Sequence, residues 1–265
     1  MRMILTCLYA VLTLIVLKPV QMVAMYYKKH GKEEKCYAIT DKLVPWWMGT
    51  ILRLAGVRVE VEGAENFPVS PAIYICNHQG LLDIPVMLTH MGRPRAMMAK
   101  AVIGRIPLLR GWMDLFDCLF VERKDPESAR ACFENAVALV QRGRDVCICP
   151  EGTRSKDGKL GAFKSGSFRI AEITGAPIVP LCLNGTRPLY EGNRSWLRPG
   201  VVHLKLFPVI DTTDLTADGV QALSDRVRDS MEAYLQADEL PAPGKRRFTG
   251  KKERSRQAAA DSPAE

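Results

Sequence analysis

The stretch Asn77-His78-Gln79-Gly80-Leu81-Leu82-Asp83-Ile84-Pro85 follows directly on a short apolar run, Ala72 to Cys76. It holds the two residue types best suited to moving a proton near neutral pH. Histidine changes charge in the physiological range, and a carboxylate beside it fixes its tautomer and raises its basicity. The spacing restricts how the two can meet. Five residues along an ideal helix set side chains about 140° apart, so His78 and Asp83 cannot touch from within one helix. Pro85 permits another arrangement, because proline is tolerated in a helix's first turn, where amide hydrogens have no intrahelical partner. A helix starting near Leu82 leaves His78 in the preceding turn, uses Gly80 for backbone freedom there, and lets Asp83 reach the imidazole.

Taken alone, a His and an Asp at this spacing say little. Their company says more. The apolar run Val146 to Cys149 opens into Pro150-Glu151-Gly152-Thr153-Arg154-Ser155. A polar, glycine-containing loop at the end of a buried strand is where α/β folds place ligands. Between the two lies Phe120-Val121-Glu122-Arg123, an apolar run ending in arginine, and further on Ile178-Val179-Pro180-Leu181-Cys182-Leu183 carries a proline inside an apolar run.

These four blocks, in this order, resemble the glycerolipid acyltransferases, specifically the 1-acyl-glycerol-3-phosphate acyltransferase family, over roughly residues 57–210. His78 and Asp83 match the first block, Pro150 to Ser155 the third, and Val179-Pro180 the fourth. Cys149 stands where the family usually has Phe. The second block ends at Arg123, with Glu122 in place of the common Asp and Asp117 in place of a frequent Gly. The resemblance implies a general base, His78, acting on the free hydroxyl of a lysophosphatidic acid, with Asp83 orienting and charge-balancing the imidazole. The hydroxyl would attack an acyl thioester of coenzyme A or acyl carrier protein directly; the lack of a Gly-x-Ser-x-Gly elbow agrees with that. Arg123 and Arg154 would bind the phosphate, which a guanidinium can hold in a bidentate way, with Lys100 as a further basic residue. Glu151, Gly152 and Thr153 would form the acceptor loop, Glu151 bonding the acceptor hydroxyl or bracing the loop. No metal or organic cofactor is implied. Another lysolipid or an aminolipid as acceptor stays open, as does a non-catalytic lipid-binding protein, although that reading leaves the first and third blocks unexplained.

The elements that position these residues follow from hydropathy. Val57 to Val61 alternates with period two, and nearly unbroken apolar runs occur at 72–76, 95–99, 118–121, 146–149 and 177–183; Val201 to Phe207 alternates again. Helical patterns lie between them. The clearest starts at Asp125-Pro126, a capping residue followed by proline at the first helical position, with an apolar stripe Ala129, Phe133, Ala136, Val137, Val140 and a stop at Gly143. Another runs from Ala217 to Gln236. Strands alternating with helices predict a layered α/β domain over residues 57–237, its sheet mixed or largely parallel.

Residues 1–56 predict a pair of membrane-associating helices. From Met3 to Leu17 only Thr6 and Thr13 are polar; Lys18-Pro19 interrupts the run, which continues weakly to Tyr27. A spanning helix needs about 20 apolar residues, which leaves spanning and lying on one leaflet both open. Lys28, Lys29, Lys32 and Lys35 follow, and such charge holds its side of a segment in the cytoplasm, so the catalytic part is expected at the inner face of the cell membrane. Leu43 to Ala55 carries Trp46-Trp47 and reads as a helix at the headgroup level. Net charge is +8, which suits an anionic membrane or substrate. Nucleic acid is disfavoured, since the charge sits in flanks and tail without aromatic interleaving. Residues 238–265, with Lys245-Arg246-Arg247 and Lys251-Lys252, predict a disordered basic tail.

The eight cysteines include no Cys-x-x-Cys pair and several lie in apolar runs, as reduced, core-filling cysteine does. Cys147 and Cys149 read as core, and His30, His90 and His203 as structural, His203 on an exposed strand face.

Overall fold

Among the described residues seven strands join in one sheet: β1 (Val57–Glu62), β2 (Ile73–Cys76), β3 (Ala96–Lys100), β4 (Leu119–Val121), β5 (Val146–Ile148), β6 (Ile178–Asn184) and β7 (Gly200–Leu206). The structure is a computed structural model that describes residues 1–67, 71–122 and 124–240. The strand order is β1-β7-β6-β2-β5-β3-β4. Every pairing is parallel except β6 with β7, so the sheet is mixed and mostly parallel. Each of the apolar or alternating runs between residues 57 and 207 forms a strand. The central ones, β2 and β5, are buried at every position, which is why they read as unbroken apolar runs and not as alternations.

Helices cover both faces. On one side α3 (Glu33–Ala55) and α4 (Asp83–His90) set Leu52, Val86 and Met87 against Tyr74, Val179 and Leu204. On the other, α6 (Pro126–Gln141), α7 (Gly166–Thr174) and α9 (Gly219–Ala237) set Ala136, Phe168 and Val227 against Ile73, Ile75 and Ile148. α6 begins as its sequence predicts: the Asp125 carboxylate accepts the Glu127 N–H at 3.0 Å and Pro126 opens the helix. Two shorter helices, α5 (Pro107–Leu115) and α8 (Thr186–Leu189), complete the layer connections.

The N-terminal part has one helix more than its apolar runs suggest. The first run breaks at Leu17 into α1 (Arg2–Val16) and α2 (Lys18–Lys29), bent by 50°. Pro19 sits in the first turn of α2, where its missing N–H costs nothing, whereas inside a continuous helix it would remove a hydrogen bond. Among the described residues no single helix is long and apolar enough to cross a membrane; the bent α1–α2 pair reaches that length and composition only together. The tryptophan pair divides. Trp46 is 56% exposed, but Trp47 is buried, donates its indole N–H to the Thr13 hydroxyl at 2.6 Å and lies 5.3 Å from the Trp112 ring. With Leu88, Leu115 and Phe116 it forms a core between the N-terminal helices and the sheet layer, so only Trp46 fits the expected headgroup position.

His203 also departs from expectation. Its side chain is only 19% exposed, because the chain after α9 folds back and Asp238 takes its Nδ1 at 2.8 Å. The expected basic tail lies outside the described residues beyond 240.

Candidate active site

The parallel strands end at one edge of the sheet, and β2 delivers Asn77 and His78 there, beside the loop that leaves β5. Asn77 closes the end of β2 by bonding both backbone groups of Leu183 on β6, accepting at 2.7 Å and donating at 2.8 Å. α4 starts at Asp83, with Pro85 in its first turn, as the spacing requires. His78 Nδ1 meets Asp83 Oδ2 at 2.6 Å across that strand-to-helix turn. The same Oδ2 accepts the Gln79 and Gly80 N–H groups at 2.7 and 2.8 Å. Asp83 is fully buried, and such a carboxylate is held only if its lone pairs are met. His78 remains 20% exposed, and with Nδ1 engaged its other ring nitrogen, Nε2, is the one left for a substrate.

Gly80 is needed for a different reason than backbone freedom. It is not among the glycines with positive φ. A Cβ there would come within 2.4 Å of a Glu191 carboxylate oxygen, so glycine makes room for that side chain. Glu191 in turn accepts the Leu81 N–H at 2.7 Å and the Arg154 guanidinium at 3.0 Å.

The loop after β5 is tied to His78 at the backbone. Glu151 accepts the His78 N–H at 2.9 Å through one carboxylate oxygen and the Gly161 N–H at 2.9 Å through the other. The Ser155 N–H donates to the His78 carbonyl at 2.8 Å. Both oxygens of Glu151 thus brace the loop against the histidine. Burial pushes the Glu151 carboxyl above its ordinary range, with the two backbone donors opposing that shift. Gly152, at φ 68°, makes the loop's left-handed turn. Beneath lie Cys76, Cys147 and Cys149, whose sulfurs touch; hydrogen bonding to the other two thiols, with burial, pushes the Cys76 thiol well up, as in an inert core.

The chain's matches to known proteins converge on one family. The Acyltransferase family model matches residues 58–184, a span that includes His78, Asp83 and the loop after β5. The 1-acyl-sn-glycerol-3-phosphate acyltransferase of Borreliella burgdorferi is 31% identical over 186 residues, 70% of this chain and 74% of that protein. The crystal structure of the 1-acyl-sn-glycerophosphate acyltransferase of Thermotoga maritima superposes with a TM-score of 0.71 at 26% identity, covering 89% of this chain and 97% of that one. The chain belongs to the 1-acyl-sn-glycerol-3-phosphate acyltransferase family. The chloroplastic enzyme of that name from Brassica napus is 42% identical over 132 residues, 49% of this chain, but only 38% of its own length is spanned.

In this family member Arg154 and Lys100 both lie at the end of the sheet where His78 sits. Arg154 is exposed and reaches Glu191. Lys100 is exposed at the end of β3, two strands from β2. Arg123 lies outside the described residues. Asp117, where the family often has Gly, adopts a left-handed φ of 59° and is held by Lys28 at 2.6 Å and Arg144 at 3.2 Å. Aspartate tolerates that conformation better than most residues. Gln79, Thr186 and Glu191 also belong to the site, although no sequence motif marks them. The Gln79 side-chain oxygen accepts the Gly185 N–H at 3.0 Å, and the Thr186 hydroxyl donates to Asp83 Oδ1. Their one sequence signal is the polar turn Asn184-Gly185-Thr186 at the end of β6.

Proposed function

We propose that this protein transfers a fatty-acyl group from a thioester, of coenzyme A or acyl carrier protein, to the free hydroxyl of a 1-acyl-glycerol-3-phosphate, giving phosphatidic acid. The observation that carries the reading is the His78–Asp83 pair, its Nδ1 committed to a buried carboxylate and its other nitrogen free for a hydroxyl. Nε2 takes the proton of the acceptor hydroxyl as its oxygen attacks the thioester carbonyl. The tetrahedral adduct expels the thiolate, which leaves as the thiol with the proton that His78 carried. Asp83 compensates the imidazolium formed in between. Arg154, Lys100 and Arg123 form the phosphate-binding group, with Gly152 and Thr153 shaping the acceptor loop.

Residues 1–56 seat the protein on the membrane that supplies the acceptor, with residues 57–237 as the catalytic domain at its cytoplasmic face and the basic segment after 238 as a further contact to anionic lipid. Support comes from α1, whose Ile4, Leu8, Val11, Leu12 and Ile15 are each more than half exposed. An apolar stripe of that size fits a lipid surface better than water.

The test is an acyl-transfer assay on the protein in phospholipid vesicles, with a panel of phosphate-bearing and phosphate-free lysolipids and both thioester types. His78→Ala is expected to lower turnover by about 10²–10⁴-fold, the range that a general base contributes. Arg154→Ala is expected to raise KM for the phosphate-bearing acceptor and leave the thioester KM unchanged. Full activity of His78→Ala removes the proposal.

A further inference from the structure

The Asp83 carboxylate is held unevenly. Three donors meet Oδ2, two of them backbone amides next to His78. Oδ1 is met from the opposite side of the site by the hydroxyl of Thr186, which lies 103 residues away in the chain and is fully buried. The turn that brings Thr186 there is built for that purpose. Gly185 sits at φ 103°, and a Cβ on it would fall 2.7 Å from the Val201 carbonyl, so only glycine fits. Its N–H is held by the Gln79 side chain at 3.0 Å, and that oxygen lies 3.4 Å from the Thr186 hydroxyl. The hydroxyl has one proton, and the Asp83 contact is much the shorter. Rotation of Asp83 about its own side-chain bonds would swing Oδ2 away from His78, and the Thr186 hydroxyl resists that rotation.

We infer that Thr186 is a positioning residue of the acyl-transfer site, its hydroxyl locking the Asp83 carboxylate in the orientation that holds His78 for proton abstraction. Thr186 is fully buried, its hydroxyl meets Asp83 and not the imidazole, and it acts through Asp83. The inference rests on the reading of His78 as the general base. The charged and titratable groups around the pair are Glu151 and Cys149 from the β5 side, Cys76 at the end of β2, and Glu191, which holds the Leu81 N–H and Arg154; the hydrogen bond to Oδ1 comes from Thr186.

The role makes a signature that loss of packing does not. Thr186→Val keeps shape and volume but removes the donor, so turnover is expected to fall about tenfold, as for a lost hydrogen bond to a charged group. KM values for lysolipid and thioester should stay within about twofold, because the loss falls on the reacting state. The acid limb of the kcat/KM profile should move to higher pH, since a carboxylate short of one donor holds a proton on the imidazole more strongly. Thr186→Ser restores the hydroxyl and should recover most of the turnover and the wild-type profile. If Thr186→Val does not fold, Thr186→Ala, which cannot overpack, serves for the same comparison. Wild-type turnover and profile in the folded variant overturn the inference, as does a Ser variant that fails like Val. His78→Ala is assayed alongside: if it is fully active the base assignment is wrong, and if it is inactive while Thr186→Val is normal only the role of Thr186 falls.

Discussion

Glu151 shows how one side chain can join two distant motifs. Its carboxylate binds the amide of His78 with one oxygen and the amide of Gly161 with the other, so the loop after β5 moves only if the histidine's backbone moves with it. The cost of that bracing is a buried charge, and burial raises the carboxyl above its ordinary value of 4.5. Linkage then sets the sign. A folded-state value above the unfolded one means that the native state holds the proton longer, so this group's contribution to stability is fully present below about pH 4.5 and is lost as pH rises through the folded value. In Glu151→Gln the dependence disappears, while the amide can accept from only one of the two donors and leaves the other unmet. The expected outcome is a denaturation midpoint for wild type, relative to Glu151→Gln, that falls from pH 4 to pH 7, together with a loss of turnover in the variant. Chemical denaturation at several pH values checks the first part; parallel curves for the two proteins would refute it.

At the scale of elements, the strands and the turn from β2 into α4 could be read in the sequence because their determinants are local. Ile73 to Cys76 is apolar throughout since both faces of that strand are covered, and His78, Asp83 and Pro85 lie within a few residues of one another. What could not be read is what arrives from afar. Thr186 and Glu191 reach the turn only once β6 lies beside β2, and neither has a pattern of its own. Trp47 fits two placements by sequence, because burial in a helical core and a position at a headgroup layer ask for the same residue, and the contact with Thr13 and Trp112 decides between them. The two glycines of this region separate packing from backbone demand. Gly80→Ala meets the end of a flexible carboxylate that can swing aside, so stability should change by less than about 1 kcal/mol while Glu191 releases Arg154 and the acceptor KM rises. Gly185→Ala meets the Val201 backbone at a φ that side chains disfavour, and should cost about 1–3 kcal/mol or more. Thermal or denaturant unfolding of both variants gives the comparison, and equal losses would contradict it.

For the whole molecule, the arrangement of apolar surface decides what the N-terminal helices can do. The inner side of α2 and α3 is spent on a core with Trp47, Trp112 and Leu115, and this anchors the helices to the sheet layer. The outer side of α1 is left over: Leu8 is 62% and Leu12 54% exposed, one turn apart on the same face. Residues that are more than half exposed can be changed without unfolding the domain, which makes the surface testable apart from the fold. In the double substitution Leu8→Asp and Leu12→Asp the midpoint of unfolding should stay within about 0.5 kcal/mol of wild type, as for surface positions generally. Partition into phospholipid vesicles should fall steeply, because withdrawing two leucines from lipid forfeits about 1.5–3 kcal/mol each, which compounds to a factor of 10² or more. Activity on a lysolipid presented in vesicles should fall in step with binding. Activity on a short-chain acceptor dissolved in water should persist, since the pair at the end of β2 lies on the sheet and not on α1. Vesicle sedimentation and the two assays measure these quantities. Undiminished binding would mean that another surface carries the attachment, while loss of both activities would mean that α1 shapes the site itself.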